Sequence, residues 1–105
     1  MITEIVAFGI NDGLKRSEVV ALYEKSVPNR KQNRSLLHKS FLYDQEHGIG
    51  GGVYLWTSIE AARAAHGPAF QERIQEVFGS APEFRYFESP VVINNHADAE
   101  VEPAS

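Results

Sequence analysis

Apolar and polar positions follow three rhythms along this chain, and each rhythm predicts an element. Residues 2–10 (ITEIVAFGI) are a short apolar run that stops at Asn11-Asp12-Gly13, a turn sequence, so they predict a buried strand. Ser17 is suited to cap a helix beginning at Glu18, in which Val19, Val20, Leu22, Tyr23 and Val27 form an apolar stripe. Pro28 is expected to stop that helix, because proline lacks a backbone donor and clashes with the turn before it, or else to start a new turn; residues 29–35 are polar and predict a loop. Residues 36–44 and 52–57 return to strand composition. Ser58 then caps a second helical stretch, where Ile59, Ala62, His66, Phe70, Ile74 and Phe78 recur every three or four positions. Gly67-Pro68 divides this stretch into pieces 58–66 and 68–78 that meet at a kink, and Gly79 closes the second piece. Residues 83–88 form a fourth strand, Pro90 breaks it, and Val91-Val92-Ile93 continues as an extended segment.

Residues 47–56, HGIGGGVYLW, raise a question of chemistry, since four glycines crowd positions 48–52. A glycine loop that holds phosphate is followed by a helix, whose free N–H groups face the anion, and it needs a lysine and a hydroxyl at fixed spacing. Here Val53-Tyr54-Leu55-Trp56 follows, which is strand material, and neither partner is present at that spacing. A hairpin fits better, with residues 45–50 making the reversal and Gly51 and Gly52 lying inside the strand start. Glycines there signal a bulge or a bulky neighbour lying over the backbone.

The order β-α-β-β-α-β defines an α+β, ferredoxin-like sandwich with one antiparallel four-stranded sheet and its helices on one face. Residues 1–94 make the single domain; the acidic residues 95–105 are expected to be a disordered tail. Two helical layers cannot cover both faces of a sheet, yet Ile5, Val6, Ala7 and Phe8 are consecutive, and Val53 and Leu55 alternate with Tyr54 and Trp56 instead of with polar residues. The second face therefore needs cover, and a second copy of the chain is the simplest source of it. The extension at 91–93 would pair with the edge of that partner's sheet.

Composition narrows the classes of partner. At 105 residues with 43% hydrophobic positions and a net charge of −4, the chain is an ordinary globular domain with no basic surplus for nucleic acid. It has no apolar stretch near the ~20 residues that a membrane span needs, and no basic segment leading into a long apolar run, so a cytoplasmic protein is expected. Lack of cysteine removes disulfides, thiolate nucleophiles and cysteine-ligated zinc together, and the four histidines are too scattered to form a metal site.

The segments GGVYLWTSIEAARAAH and PEFRYFESPVVINN resemble the YdhR-type monooxygenase family, within the dimeric α+β barrel superfamily that also holds the antibiotic-biosynthesis monooxygenases. The resemblance spans residues 2–95 and is most specific over 51–66. It implies a homodimer of ferredoxin-like subunits whose sheets face each other, each with a pocket for a small apolar or aromatic ligand between sheet and helices. It also implies oxygenation of a small aromatic or polyketide-like compound without metal or flavin, so no cofactor is expected. The heme degraders of the superfamily use an Asn on the first strand and a Trp-to-His pair in the second helical region; this helix has no Trp, which argues against heme.

Such chemistry needs an apolar cavity, one acid-base group of tuned pKa, and donors for a developing oxyanion. His66 is the first candidate base, because the helical stripe aims it at the sheet beside the Gly67-Pro68 break. His38, on the face of its strand opposite Lys39, is the second. Tyr54 and Trp56 share one face of the third strand and Tyr86 lies on the fourth, so these, with Tyr23 and Phe70 from the helical stripes, are the candidate pocket residues. Arg85, a charge inside an apolar strand, either binds an anion or pairs with Glu83 or Glu88 of its own or a partner chain. For each of these residues the alternative is a packing role: a core histidine bonded to a carbonyl, an interface histidine, or core aromatics. Beyond oxygenation, the same cavity would suit a non-catalytic or stress-related ligand-binding dimer, or an isomerase or cyclase.

Overall fold

A computed structural model describes residues 1–95, in which seven elements follow one another: β1 (Ile2–Gly9), α1 (Arg16–Gln32), β2 (Leu36–Asp44), β3 (Ile49–Trp56), α2 (Ile59–Ala65), α3 (Pro68–Phe78) and β4 (Glu83–Glu88). The strands form one antiparallel sheet in the order β2-β3-β1-β4, with the helices packed on one face: the ferredoxin-like α+β architecture, its second helix in two pieces. The expected tail lies outside the described residues, apart from Asn95.

Strand parity sorts the side chains. Glu4 stands opposite Tyr54 on one side and Tyr86 on the other, so these three share the helix face with Val6, Phe8, Trp56 and Phe84. Val6, Phe8, Tyr54 and Trp56 form the buried core with Ala62, Phe70, Ile74 and Phe78 of the helices. The stripe read from sequence thus holds through the Gly67-Pro68 break: Ser58 caps α2 by accepting a hydrogen bond from Ala61 N–H at 3.2 Å, and Pro68 opens α3 where its missing donor costs nothing.

Several expectations need correction. Pro28 does not stop α1, which runs on to Gln32, and residues 29–32 are helix where a loop was expected. Pro28 is exposed, and Ser26 Oγ donates to the carbonyl of Tyr23 at 2.8 Å within the turn that leads to the proline. The extra turn carries Arg30 over the rings of Tyr54 and Phe70, with 5.3 and 5.6 Å to the ring centres, a cation–π gain that offsets part of the proline's cost. The helix also begins earlier than Glu18: Lys15 is the capping residue, and its backbone N–H donates to the Glu18 carboxyl at 3.1 Å.

The third strand starts at Ile49, not at residue 52, so Gly50, Gly51 and Gly52 belong to the ladder, while Gly48, at φ +63°, makes the turn. Of the pair that signalled a close neighbour, Gly52 faces the Tyr54 ring and the Lys39 stem, at 2.9 and 3.1 Å from an added Cβ, and Gly51 donates its N–H to the Tyr23 hydroxyl at 3.2 Å; the same hydroxyl also crowds Gly50. Gly51 itself has φ +154°, and a Cβ there would come within 1.9 Å of the Val6 carbonyl oxygen. Residues 91–93 form no strand with this chain's sheet, and Val91 and Ile93 are 80% and 79% exposed.

The face of the sheet turned away from the helices carries Ile5, Val53 and Leu55, all half-buried, with Leu42 and Phe87 exposed at 37% and 43%. None of the three helices crosses it. No helix among the described residues is long and apolar enough to cross a membrane.

Candidate functional site

The helices do not seal against the sheet. Between α1, α3 and the strands lies a cavity of about 320 Å³, at the lower end of the usual range for ligand pockets. Phe8, Phe41 and Tyr54 line it from the sheet, Tyr23 from α1, and Phe70 and Phe78 from α3, so the floor is aromatic. Four cations line it as well: Lys25 and Arg30 from α1, Lys39 from β2 and Arg73 from α3.

Lys39 is the most altered of these groups. Parity places it on the helix face of β2 opposite Tyr54, and its Nζ lies 3.7 Å from the ring centre of Phe41 and 4.5 Å from that of Tyr54. Burial, then the nearby Arg30 charge, lower its pKa to about 7, against a smaller upward pull from Glu4. A lysine in that state is a neutral amine for much of the time at neutral pH, able to take up a proton. Tyr54 moves the other way: burial raises its hydroxyl to about 12, so it stays protonated as a hydrogen-bond donor.

Tyr23 is committed to structure. Its hydroxyl donates to the Leu42 carbonyl at 2.8 Å while accepting from Gly51 N–H, which joins α1 to the β2–β3 hairpin and uses its one proton; burial raises its pKa. Its ring remains a wall of the cavity.

Behind Tyr54 lies a second constellation, wholly enclosed. Glu4 is fully buried and accepts from Trp56 Nε1 at 2.9 Å; the same carboxyl lies 2.8 and 2.9 Å from His66 Nδ1. With the carboxylate accepting from the indole at Oε1, an imidazole protonated at Nδ1 donates to the same group at Oε2, the tautomer that satisfies both partners, and Nε2 then carries the lone pair. Nε2 is buried with no hydrogen-bond partner among the described residues. It is walled by rings, Phe70 at 4.2 Å, Tyr54 at 4.6 Å and Trp56 at 5.8 Å between centres. Burial pushes the pKa of His66 down; the hydrogen bond and charge of Glu4 pull it part of the way back.

The structure divides the residues expected from sequence. Tyr23, Tyr54 and Phe70 line the cavity. His66 and Trp56 sit one layer behind it, gathered by Glu4 and not by the backbone carbonyl that the packing alternative supposed. Tyr86 is on the helix face beside Glu4, outside the cavity lining, its pKa raised by burial and by Glu4. His38 and Arg85 project from the opposite face of the sheet, so neither meets His66 or the cavity. Arg85 makes no ion pair among the described residues; its guanidinium lies 5.2 Å from the ring centre of Phe87. No cluster of three or more His, Asp or Glu residues suited to a metal occurs among the described residues.

Glu4, Lys39 and Arg30 are the residues that sequence reasoning missed. Glu4 had a signal: it is the one charge in an apolar run and shares parity with Val6 and Phe8, so a buried strand commits it to the core. Lys39 shared its face with Phe41 and Tyr43, a weaker clue of the same kind. Arg30 had none, because it lies beyond the proline at which the helix was expected to end.

No family model and no curated protein matches the chain. Solved structures do. A protein of unknown function from Nitrosomonas europaea, NE2512, superposes with a TM-score of 0.71 at 11% identity, covering 89% of this chain and 92% of that one. The monooxygenase ActVA-Orf6 of Streptomyces coelicolor, solved with nanaomycin D, gives 0.67 at 14% identity, over 89% and 90%. SnoaB, a cofactor-independent oxygenase from Streptomyces nogalater, gives 0.62 at 14% identity, over 88% and 95%. The fold of this chain is that of the antibiotic biosynthesis monooxygenases.

Proposed function

We propose that this protein is a cofactor-independent oxygenase of small, electron-rich aromatic compounds, working as a homodimer and belonging to the YdhR-type branch that its sequence resembles. The observation that supports this best is Lys39, an amine with a pKa of about 7 set against aromatic rings inside the cavity. Acidic phenols and quinols lose a proton to such a base, and the resulting anion is the electron-rich species that gives electrons to oxygen. The reaction balances with the substrate as sole reductant: one oxygen atom replaces two hydrogens as a carbonyl, and the other leaves with those hydrogens as water. Tyr54, protonated and facing the same space, donates to the developing oxyanion. Arg30 beside it favours the substrate anion over the neutral phenol.

His66 enters this scheme as a positioning residue, holding Tyr54 and Phe70 from behind while Glu4 fixes its own orientation. Oxygen uptake over a panel of quinols and anthrones tests the reading. Wild-type kcat/KM is expected to rise through pH 7 and level off above it, since the base must be unprotonated. Lys39→Met should remove that limb and lower kcat about 100-fold or more, whereas His66→Gln should keep the limb. Loss of the limb in His66→Gln with its survival in Lys39→Met would make His66 the base. Ligand binding without oxygen uptake anywhere in the panel would replace the oxygenase by a ligand-holding dimer.

A further inference from the structure

The cations around the cavity stand out against the charge of the whole chain. The protein is acidic, at −4 net, yet Lys25, Arg30, Lys39 and Arg73 all line one space to which no Asp or Glu among the described residues contributes. The ion pairs among the described residues are Asp44–His47 and Glu4–His66, so none of the four is directly paired with a carboxylate there, and Glu4 acts on Lys39 only from a distance. They come from three separate elements, which excludes the accident of a single basic helix face. Like charges brought together cost energy: Arg30 and desolvation both disfavour the protonated form of Lys39. A site that bears this cost when empty is relieved when an anion enters.

The arrangement also has a direction. Arg30 and Arg73 flank one ring, their guanidinium carbons 5.6 and 5.8 Å from the centre of Phe70, while Lys39 lies over Phe41 and Tyr54. Arg73 and Lys25 are exposed, whereas Arg30 and Lys39 are not. Arg30 lies between Lys39 and Arg73, 5.3 Å from the ring centre of Tyr54 and 5.6 Å from that of Phe70. A flat ligand resting on the aromatic floor would thus have one end at Lys39 and the other at Arg73, where the Arg73 fork, with Arg30 beside it, suits a carboxylate.

We infer that the cavity binds aromatic acids: a small ring system carrying a carboxylate, held at that group by Arg30 and Arg73, with the ring edge to be deprotonated turned toward Lys39. This rests on the oxygenase reading only for what happens at the Lys39 end; the anion site is independent of it.

Calorimetric titration of the intact protein with 2-naphthoate and with 2-naphthamide, its neutral counterpart of nearly equal shape, separates charge from stacking. The carboxylate should bind about tenfold tighter or more, with the preference shrinking as salt is raised. Arg30→Gln and Arg73→Gln should each reduce the preference, and the double variant should abolish it while still binding the amide, which shows that the cavity has survived. Equal binding of the two probes, no binding of either, or a preference that persists in the double variant would overturn the proposal. The two readings fail separately. Carboxylate preference without oxygen uptake leaves the anion site standing and removes the oxygenase, whereas quinol oxidation without preference does the reverse.

Discussion

At the scale of single residues, buried charge sets both the chemistry and its cost. Lys39 keeps a pKa near 7 in the folded protein, while in the unfolded chain it returns toward 10.5. Between those values the unfolded state holds a proton that the folded state lacks, so stability rises with pH across that window, and below pH 7 the full penalty applies. Arg30, Glu4, Tyr54 and His66 are ionisable groups near it; Arg30 disfavours its charged form, while Glu4 and the faces of Phe41 and Tyr54 favour it, and burial outweighs them. Lys39→Met should therefore stabilise the protein by about 2–4 kcal/mol at pH 6, a gain that fades as pH approaches 10; urea titrations at several pH values check it. Glu4 shows the opposite economy. Its carboxyl meets an indole donor and an imidazole donor, so the desolvation of one buried acid is offset by two hydrogen bonds.

At the scale of elements, backbone requirements decide more than propensity does. Gly51 sits where β1 and β3 approach so closely that any side chain meets the Val6 carbonyl, at a φ that L-residues rarely adopt. Gly51→Ala should cost about 3 kcal/mol or more, measured by denaturant unfolding, and should loosen the Tyr23 hydroxyl that bonds to this residue. The sequence announced this site, since a glycine pair inside a strand asks for a close neighbour, although it did not say which. Periodicity also placed α2, α3, β2 and β4, because caps and the Gly67-Pro68 break are local signals. It failed at Pro28, where the prediction rested on proline's local penalty while contacts made by Arg30 with residues far along the chain carried the helix onward. Candidate site residues were legible to the same degree: Tyr23, Tyr54 and Phe70 followed from their stripes, but which layer His66 occupied depended on Glu4, a tertiary partner.

At the scale of the whole molecule, the unresolved demand is cover for the outer sheet face. Ile5, Leu42, Val53, Leu55 and Phe87 stand there without helices above them, and at roughly 1.5–3 kcal/mol for each large side chain fully buried, leaving them in water forgoes much of a small domain's stability. A second copy meeting this face would also enclose His38 and Arg85, the two candidates that the fold directs away from the cavity. Leu55→Glu should convert a dimer of about twice 11.7 kDa into a monomer by sedimentation at micromolar concentration. A wild-type protein that sediments as a well-folded monomer would remove the homodimer from the account and leave the cavity, which lies within one chain, untouched.

The chain holds a single tryptophan, and its place is fortunate for anyone studying the cavity. Trp56 is shut away from solvent, fixed by Glu4, and stacked on Tyr54 with 5.7 Å between ring centres and 10° between planes. An occupant resting on the other side of Tyr54 would lie one ring away from the indole. The protein thus comes with its own optical reporter, and unlabelled material excited in the near ultraviolet would register an arriving guest through a changed emission.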